Sequence, residues 1–278
     1  MVVKMFRPSV KDKKEKASLH SFNVEILIFC HYPADMSTPA DALIAATDKL
    51  NDSLSRLTFD SPVALTYNPL AYAGAAYAAY LRTYASHTKH ALFLGMNPGP
   101  FGMTQTGVPF GEVAAVKNWL HIEAPIGKPP VEHPKRPVLG FDCPRSEVSG
   151  RRLWGLFAEC YGTAEEFFRT NFVANYCPLV WMSESGANIT PDKLSAIDRK
   201  PVEEACMDYL EETIRILQPE MLVGVGGYAR KQLEQISSRF PGKTFTLGTL
   251  LHPSPASPIS NKNWPDLPKQ QLKDLGLL

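Results

Sequence analysis

A three-layer α/β/α sandwich around a mainly parallel, four-stranded central sheet is the fold the sequence predicts, and three observations carry it. Four short apolar runs, "ALFLG" (91–95), "NFVANY" (171–176), "MLVGVG" (221–226) and "FTLGTLL" (245–251), have the length and continuity of buried strands. Helix-period segments separate them, among them "GEVAAVKNWL", "GRRLWGLFAECYG", "VEEACMDYLEETIRIL" and "GYARKQLEQIS", and such alternation argues a parallel sheet covered on both faces. Segments rich in glycine, proline and polar residues follow the runs, which is where open α/β sheets place their ligands.

In chain order, residues 1–35 carry "KDKKEK" and one isolated apolar run, and are expected to form a poorly ordered extension to a domain spanning 36–278. Met36 opens "MSTPADALIAATDKLNDSLSRL", a segment that sets Leu43, Ala46, Leu50, Leu54 and Leu57 on one helical stripe behind a Ser37 or Thr38 cap and a first-turn proline. The proline-rich stretch 121–150, "HIEAPIGKPPVEHPKRPVLGFDCPRSEVSG", is a long connection of the kind that usually has a task in a compact domain.

With 278 residues, 44% hydrophobic and 21% charged, the chain can bury a substantial core. A formal net charge of +1 gives no global pull toward nucleic acid, so any such binding must come from local patches. The five cysteines, at 30, 143, 160, 177 and 206, are odd in number and form no C-x-x-C pair. They read as reduced thiols of an intracellular protein, with no disulfide framework, metal site or cofactor expected. No apolar run approaches the roughly 18 residues of a spanning helix, so no membrane partner is expected.

The stretch "LGMNPGPFGMTQTGVPFGEV" (94–113) holds five glycines and three prolines, and no lysine of the kind a phosphate cradle uses. Asn97 offers an acceptor and two donors without titrating, and Pro98 stiffens the backbone after it. Asn175 closes the second strand, His252 follows the fourth in "LLHPSPASP", and Phe110 is an aromatic in a glycine-rich loop. Each alone has an ordinary explanation: a turn asparagine, a strand-end cap, a structural histidine, a core aromatic. Two amides, an aromatic and a histidine at one edge of one sheet instead suggest a pocket for a planar, hydrogen-bonding ring. Lys135, Arg136, Arg145, Arg151 and Arg152 read either as solvated surface or as a phosphate-contacting stripe.

From about residue 62 onward the sequence resembles the single-strand-selective branch of the uracil-DNA glycosylase superfamily, on "YNPLAYA", "FLGMNPGPFGMTQTGVPFGEV", "EHPKRPVLGFDCPRSEVSGRRLWG", "NYCPL", "VGVG" and "LLHPSPASP". The resemblance implies that Asn97 positions an attacking water and His252 hydrogen-bonds the uracil O2. It also implies that Phe110 stacks on the flipped base, Asn175 reads its O4 and N3 edge, and the Met96 backbone lines the pocket. Pro255, Ala256, Ser257, Pro258, Ile259, Ser260, Asn261 and Lys262 would wedge into the duplex. The implied partners are single- and double-stranded DNA containing uracil, 5-hydroxymethyluracil or related oxidised pyrimidines, and the implied setting is base excision repair in the nucleus, by a monomer. With no lysine in either motif, water is the expected nucleophile and an abasic site the expected product. The alternatives are a catalytically weak single-strand-binding module, or a relative preferring deaminated purines or mismatched thymine. One position departs from the pattern: where vertebrate members often carry an arginine after "HPSP", this chain has Ala256.

Overall fold

The computed structural model describes residues 38–278; the extension expected over 1–35, Met36 and the alternative cap Ser37 lie outside the described residues. Thr38 caps the first helix, α1 (Pro39–Leu54), its hydroxyl accepting the Asp41 N–H at 3.2 Å with proline at the first helical position. Leu43, Ala46, Leu50 and Leu54 are buried as expected. The stripe stops there, because the helix ends at Leu54 and Leu57 is half-buried in the segment beyond it.

The chain continues through β1 (Leu65–Tyr67), α2 (Pro69–Tyr72), α3 (Gly74–Tyr84), β2 (Ala91–Gly95), α4 (Met103–Thr106), α5 (Val113–Asn118), α6 (Val148–Tyr161) and α7 (Ala164–Phe168). There follow β3 (Asn171–Asn175), β4 (Val180–Met182), β5 (Asn188–Ile189), α8 (Ala196–Leu217), β6 (Met221–Val225), α9 (Gly227–Ser237), β7 (Thr246–Leu250), α10 (Pro258–Asn263) and α11 (Asp266–Asp274). The four apolar runs are the four strands of the central sheet, ordered β3-β2-β6-β7 with every neighbour parallel. The step from β2 to β3 runs one way across this sheet, and the steps from β3 to β6 and β6 to β7 run the other. Right-handed crossovers therefore set α6 and α7 on one face and α8 and α9 on the other, which makes the three layers.

On the first face Phe93 of β2 meets Phe157 of α6 edge-on at 5.2 Å, and Phe157 stacks on Phe167 of α7 at 4.2 Å. Elsewhere a buried hydroxyl network ties α1, α3 and α8 together: Tyr209 Oη lies 3.1 Å from Thr47 Oγ1 and 2.8 Å from Tyr77 Oη. Burial raises the pKa of both phenols and keeps them neutral. Among the described residues no helix is long and apolar enough to cross a membrane.

A second, antiparallel sheet in the order β1-β4-β5 is absent from the sequence reading. Its strands are three, three and two residues long, too short to show a period of two. The connection 121–150 packs on it: Tyr67, Val138, Val180 and Met182 form one buried cluster, and the Tyr67 hydroxyl accepts the His133 N–H at 2.6 Å while donating to the Arg136 carbonyl at 3.0 Å.

Tyr209→Phe should remove the hydroxyl that Thr47 and Tyr77 share; Thr47 keeps its bond to the Leu43 carbonyl, and the buried Tyr77 hydroxyl loses its Tyr209 partner. We expect a loss of about 1–3 kcal/mol in stability, read as a lower denaturant midpoint at constant slope, with activity unchanged because the network lies away from the strand ends.

Candidate active site

Parallel register pairs Gly95 with Asn175 at the last step of the β2–β3 ladder and brings Val225 and Leu250 together at the end of β6 and β7. The backbone ladder runs on past the strands, with the Tyr176 and Cys177 N–H groups donating to the Gly95 and Met96 carbonyls, each at 2.9 Å. The residues just beyond that edge enclose a cavity of about 210 Å³, and Met96, Asn97, Phe110, Asn175 and His252 all line it. Drug-sized sites run to roughly 300–1,000 Å³, so this one suits a small planar group. No lysine lines it.

Asn97 is oriented by one contact, its Nδ2 donating to the Leu179 carbonyl at 3.2 Å. That leaves Oδ1 as the acceptor the amide can offer a water. Asn175 and Phe110 converge over Gly95: a Cβ there would stand 2.4 Å from Asn175 Oδ1 and 2.6 Å from the Phe110 ring, so only glycine lets amide and ring share this floor. Phe110 itself adopts φ of 52°, rare for a bulky residue and costing on the order of 1–3 kcal/mol. Its carbonyl is fixed by the Trp154 indole N–H at 3.0 Å and the Glu112 N–H at 2.7 Å.

His252 faces Phe110 with ring centroids 6.4 Å apart. Its Nδ1 accepts the Ser254 N–H at 3.1 Å, so the neutral ring carries its proton on Nε2 and is a hydrogen-bond donor there. Burial lowers the His252 pKa, which favours this neutral form.

The segment Pro255–Lys262 is a turn running into α10, with Pro255, Ala256, Pro258, Ile259, Asn261 and Lys262 exposed and Ser257 half-buried. Ser260 is fully buried instead, and its hydroxyl donates to the His252 carbonyl, so it braces the loop from beneath. Arg152 of α6 clamps the same loop, donating to the Pro253 carbonyl at 3.2 Å and to Asn261 Oδ1 at 2.9 Å, while Asn261 Nδ2 donates to the Pro255 carbonyl at 2.7 Å.

Sequence reasoning missed Glu147, Ser149, Asn188 and Thr190, which also line the cavity. Glu147 is the most informative of them. It occupies the N-cap of α6 without making a side-chain cap bond, and its carboxylate sits inside the turn of the 97–103 loop. A Cβ on Gly99 would come 2.6 Å from one carboxylate oxygen and a Cβ on Gly102 2.0 Å from the other. Burial pushes its pKa up to about 7, the Glu112 carboxylate adds to that, and a hydrogen bond from the Gly99 backbone opposes it. The signal in the sequence was a lone acid, in "RSEVSG", within a connection already marked as functional.

The overall fold is shared with a solved structure, that of wild-type SMUG2 from Pedobacter heparinus, which aligns over 87% of this chain and 98% of its own at a TM-score of 0.63 and 18% identity. At that identity the likeness concerns the fold alone. The family model of the uracil DNA glycosylase superfamily matches residues 82–275. The single-strand selective monofunctional uracil DNA glycosylase of Bos taurus is 46% identical over 239 residues, covering 86% of this chain and 88% of the relative, and that of Rattus norvegicus is 45% identical, covering 86% of each. The chain belongs to the uracil-DNA glycosylase superfamily, and is by that membership a hydrolase of N-glycosidic bonds.

The raised Glu147 pKa has a thermodynamic sign. The folded state holds its proton up to about pH 7 and the unfolded state only to about the ordinary value of 4.5, so this group makes stability fall as pH rises through that window. Glu147→Gln should flatten the fall and leave the variant more stable than wild type above pH 7, as read from unfolding midpoints across the pH range; parallel curves for the two proteins would refute it.

Proposed function

We propose that the chain flips uracil out of DNA and hydrolyses its N-glycosidic bond with water as nucleophile, leaving an abasic site. A base inside a duplex cannot be reached, so extrusion must come first at a cost of a few kcal/mol, approximately. Stacking on Phe110 and hydrogen bonds to both atoms of the Asn175 amide offset that cost. The observation that carries the reading is the pairing of one oriented acceptor with one oriented donor. Asn97 Oδ1 holds the water, and His252 Nε2–H meets the uracil O2 as negative charge gathers on the departing base. An oxocarbenium-like sugar needs little help from a base, so a neutral amide suffices to orient the water, and a neutral imidazole stabilises the anion without first having to be protonated.

The relatives' names point to a preference for single strands, and we extend it to this chain. We assign the turn 99–103 to the side of ring carbon 5: the Glu147 carboxylate that fills it gives the cavity a polar wall there, which favours 5-hydroxymethyluracil and related oxidised pyrimidines over thymine. Duplex DNA is a second substrate, acted on by a monomer in the nucleus during base excision repair. Ala256, exposed at the turn before α10, puts no cation into the duplex, so the product is held loosely.

Excision from single- and double-stranded oligonucleotides carrying one uracil tests the assignment. Asn97→Ala and His252→Leu should each lower kcat by about 10²- to 10³-fold, and full activity in both variants would remove these residues from the mechanism. Ala256→Arg should tighten duplex binding and slow product release; if it alters neither, the turn is not the wedge.

A further inference from the structure

Several cations near the cavity in sequence stand outside the ion pairs of the fold. Among the described residues, ion pairs occupy lysines and arginines across the surface, yet none includes Lys135, Arg136, Arg145 or Arg151. Along 135–152 the five cations Lys135, Arg136, Arg145, Arg151 and Arg152 outnumber the two acids Asp142 and Glu147, in a chain whose net charge is +1. These residues also adjoin the cavity in sequence: Arg145 stands two positions before Glu147 and Arg151 two after Ser149, both of which line it.

An aromatic ring holds the group together. The Arg145 guanidinium lies 4.3 Å from the Phe101 ring centroid and that of Arg136 lies 5.4 Å from it, and Phe101 follows two positions after the cavity residue Gly99. Arg136 is anchored further by its Nε donating to the Gly186 carbonyl at 2.9 Å. A carboxylate in Phe101's place would fix these arginines by cancelling their charge. The ring fixes them through its face and leaves their charge uncancelled, with the Arg136 Nε and Nη1 donating to the neutral carbonyls of Gly186 and Lys135. Arg145, Lys135 and Arg151 are exposed, and Phe101 is half-buried beneath the arginines.

Two guanidinium groups seated over an aromatic, with further cations at the margin, form a receptor for a phosphodiester whose bases are unstacked and can lie on their planar faces. Paired bases present no such faces. We propose that Arg145 and Arg136, seated on Phe101 and flanked by Lys135 and Arg151, are the track along which single-stranded DNA next to the flipped nucleotide is held. The proposal rests on the glycosylase reading above and names what surrounds the lesion in it.

Fluorescence anisotropy on an undamaged, labelled oligothymidylate tests it, beside the same strand built from abasic units and a blunt duplex, each titrated with salt. Arg136→Ala with Arg145→Ala should weaken oligothymidylate binding by about tenfold or more and lower the salt slope by about 0.7 for each phosphate no longer neutralised. Arg145→Lys keeps the charge and loses the plane, so it should weaken oligothymidylate binding more than abasic-strand binding. Unchanged binding by the double variant overturns the track, and so does an equal loss on the duplex, which would make the patch a general polyanion surface. Because these probes hold no uracil, the two readings fail separately. A chain that bound in this pattern but excised nothing would lose the activity and keep the track. One that excised uracil while the double variant bound normally would do the reverse.

Discussion

The site depends on one backbone pairing, Gly95 against Asn175 at the end of the β2–β3 ladder. Parallel strands in register finish at a common edge, so whatever follows them meets there. Gly95 adds the one property that edge needs, an absent side chain, because the Asn175 amide and the Phe110 ring both occupy the space a Cβ would take. A one-residue slip of β3 would turn Asn175 to the other face of the sheet. Register and pocket are thus the same fact seen at two scales.

Around that edge, polar side chains fasten loops to one another. Gln105, buried in α4, uses its whole amide to join two loops: its nitrogen donates to the Pro100 and Pro137 carbonyls at 3.0 and 3.1 Å, and its oxygen accepts the Leu139 and Gly140 N–H groups at 2.8 and 3.2 Å. Arg152 does likewise for the 252–262 segment, and Glu147 fills the turn at 99–102. Loops so held support a residue at an unfavourable φ, as Phe110 is, and their rigidity spares a bound base the cost of ordering them. The proline-rich connection enters this network at Pro137, Leu139 and Gly140, which Gln105 holds, and through Glu147 near its end.

The strands were legible because each is a continuous apolar run, and Asn97, Asn175 and His252 were legible because they stand where such runs end. Thr38 was within reach of capping chemistry alone. What escaped was set by contacts remote in sequence. Strands β4 and β5 are too short to show a period, and they exist because β1, more than a hundred residues earlier in the chain, pairs with β4. Glu147 has no local pattern to mark it, since its place is set by Gly99 and Gly102, whose missing side chains leave room for its carboxylate. Ser260 read as part of an exposed wedge, yet its hydroxyl is taken by the His252 carbonyl, a bond that no local pattern announces.

The distribution of charge follows from what the reaction makes. In the proposed reaction a departing base would gather negative charge in this recess, where an ionised neighbour would be expensive to bury and, if acidic, repulsive. Asn97 is uncharged, His252 is held neutral by burial, and the one carboxylate in the wall has its pKa pushed up to about 7, so it takes a proton far more readily than an exposed glutamate. Donors aimed at the anion can then act through fixed dipoles, which need no rearrangement as the bond breaks. Lys135, Arg145 and Arg151 stay exposed in water, which a phosphate on the proposed track would replace. Such a division keeps strand binding sensitive to salt and the chemical step insensitive to it, since screening reaches exposed charges and spares buried dipoles.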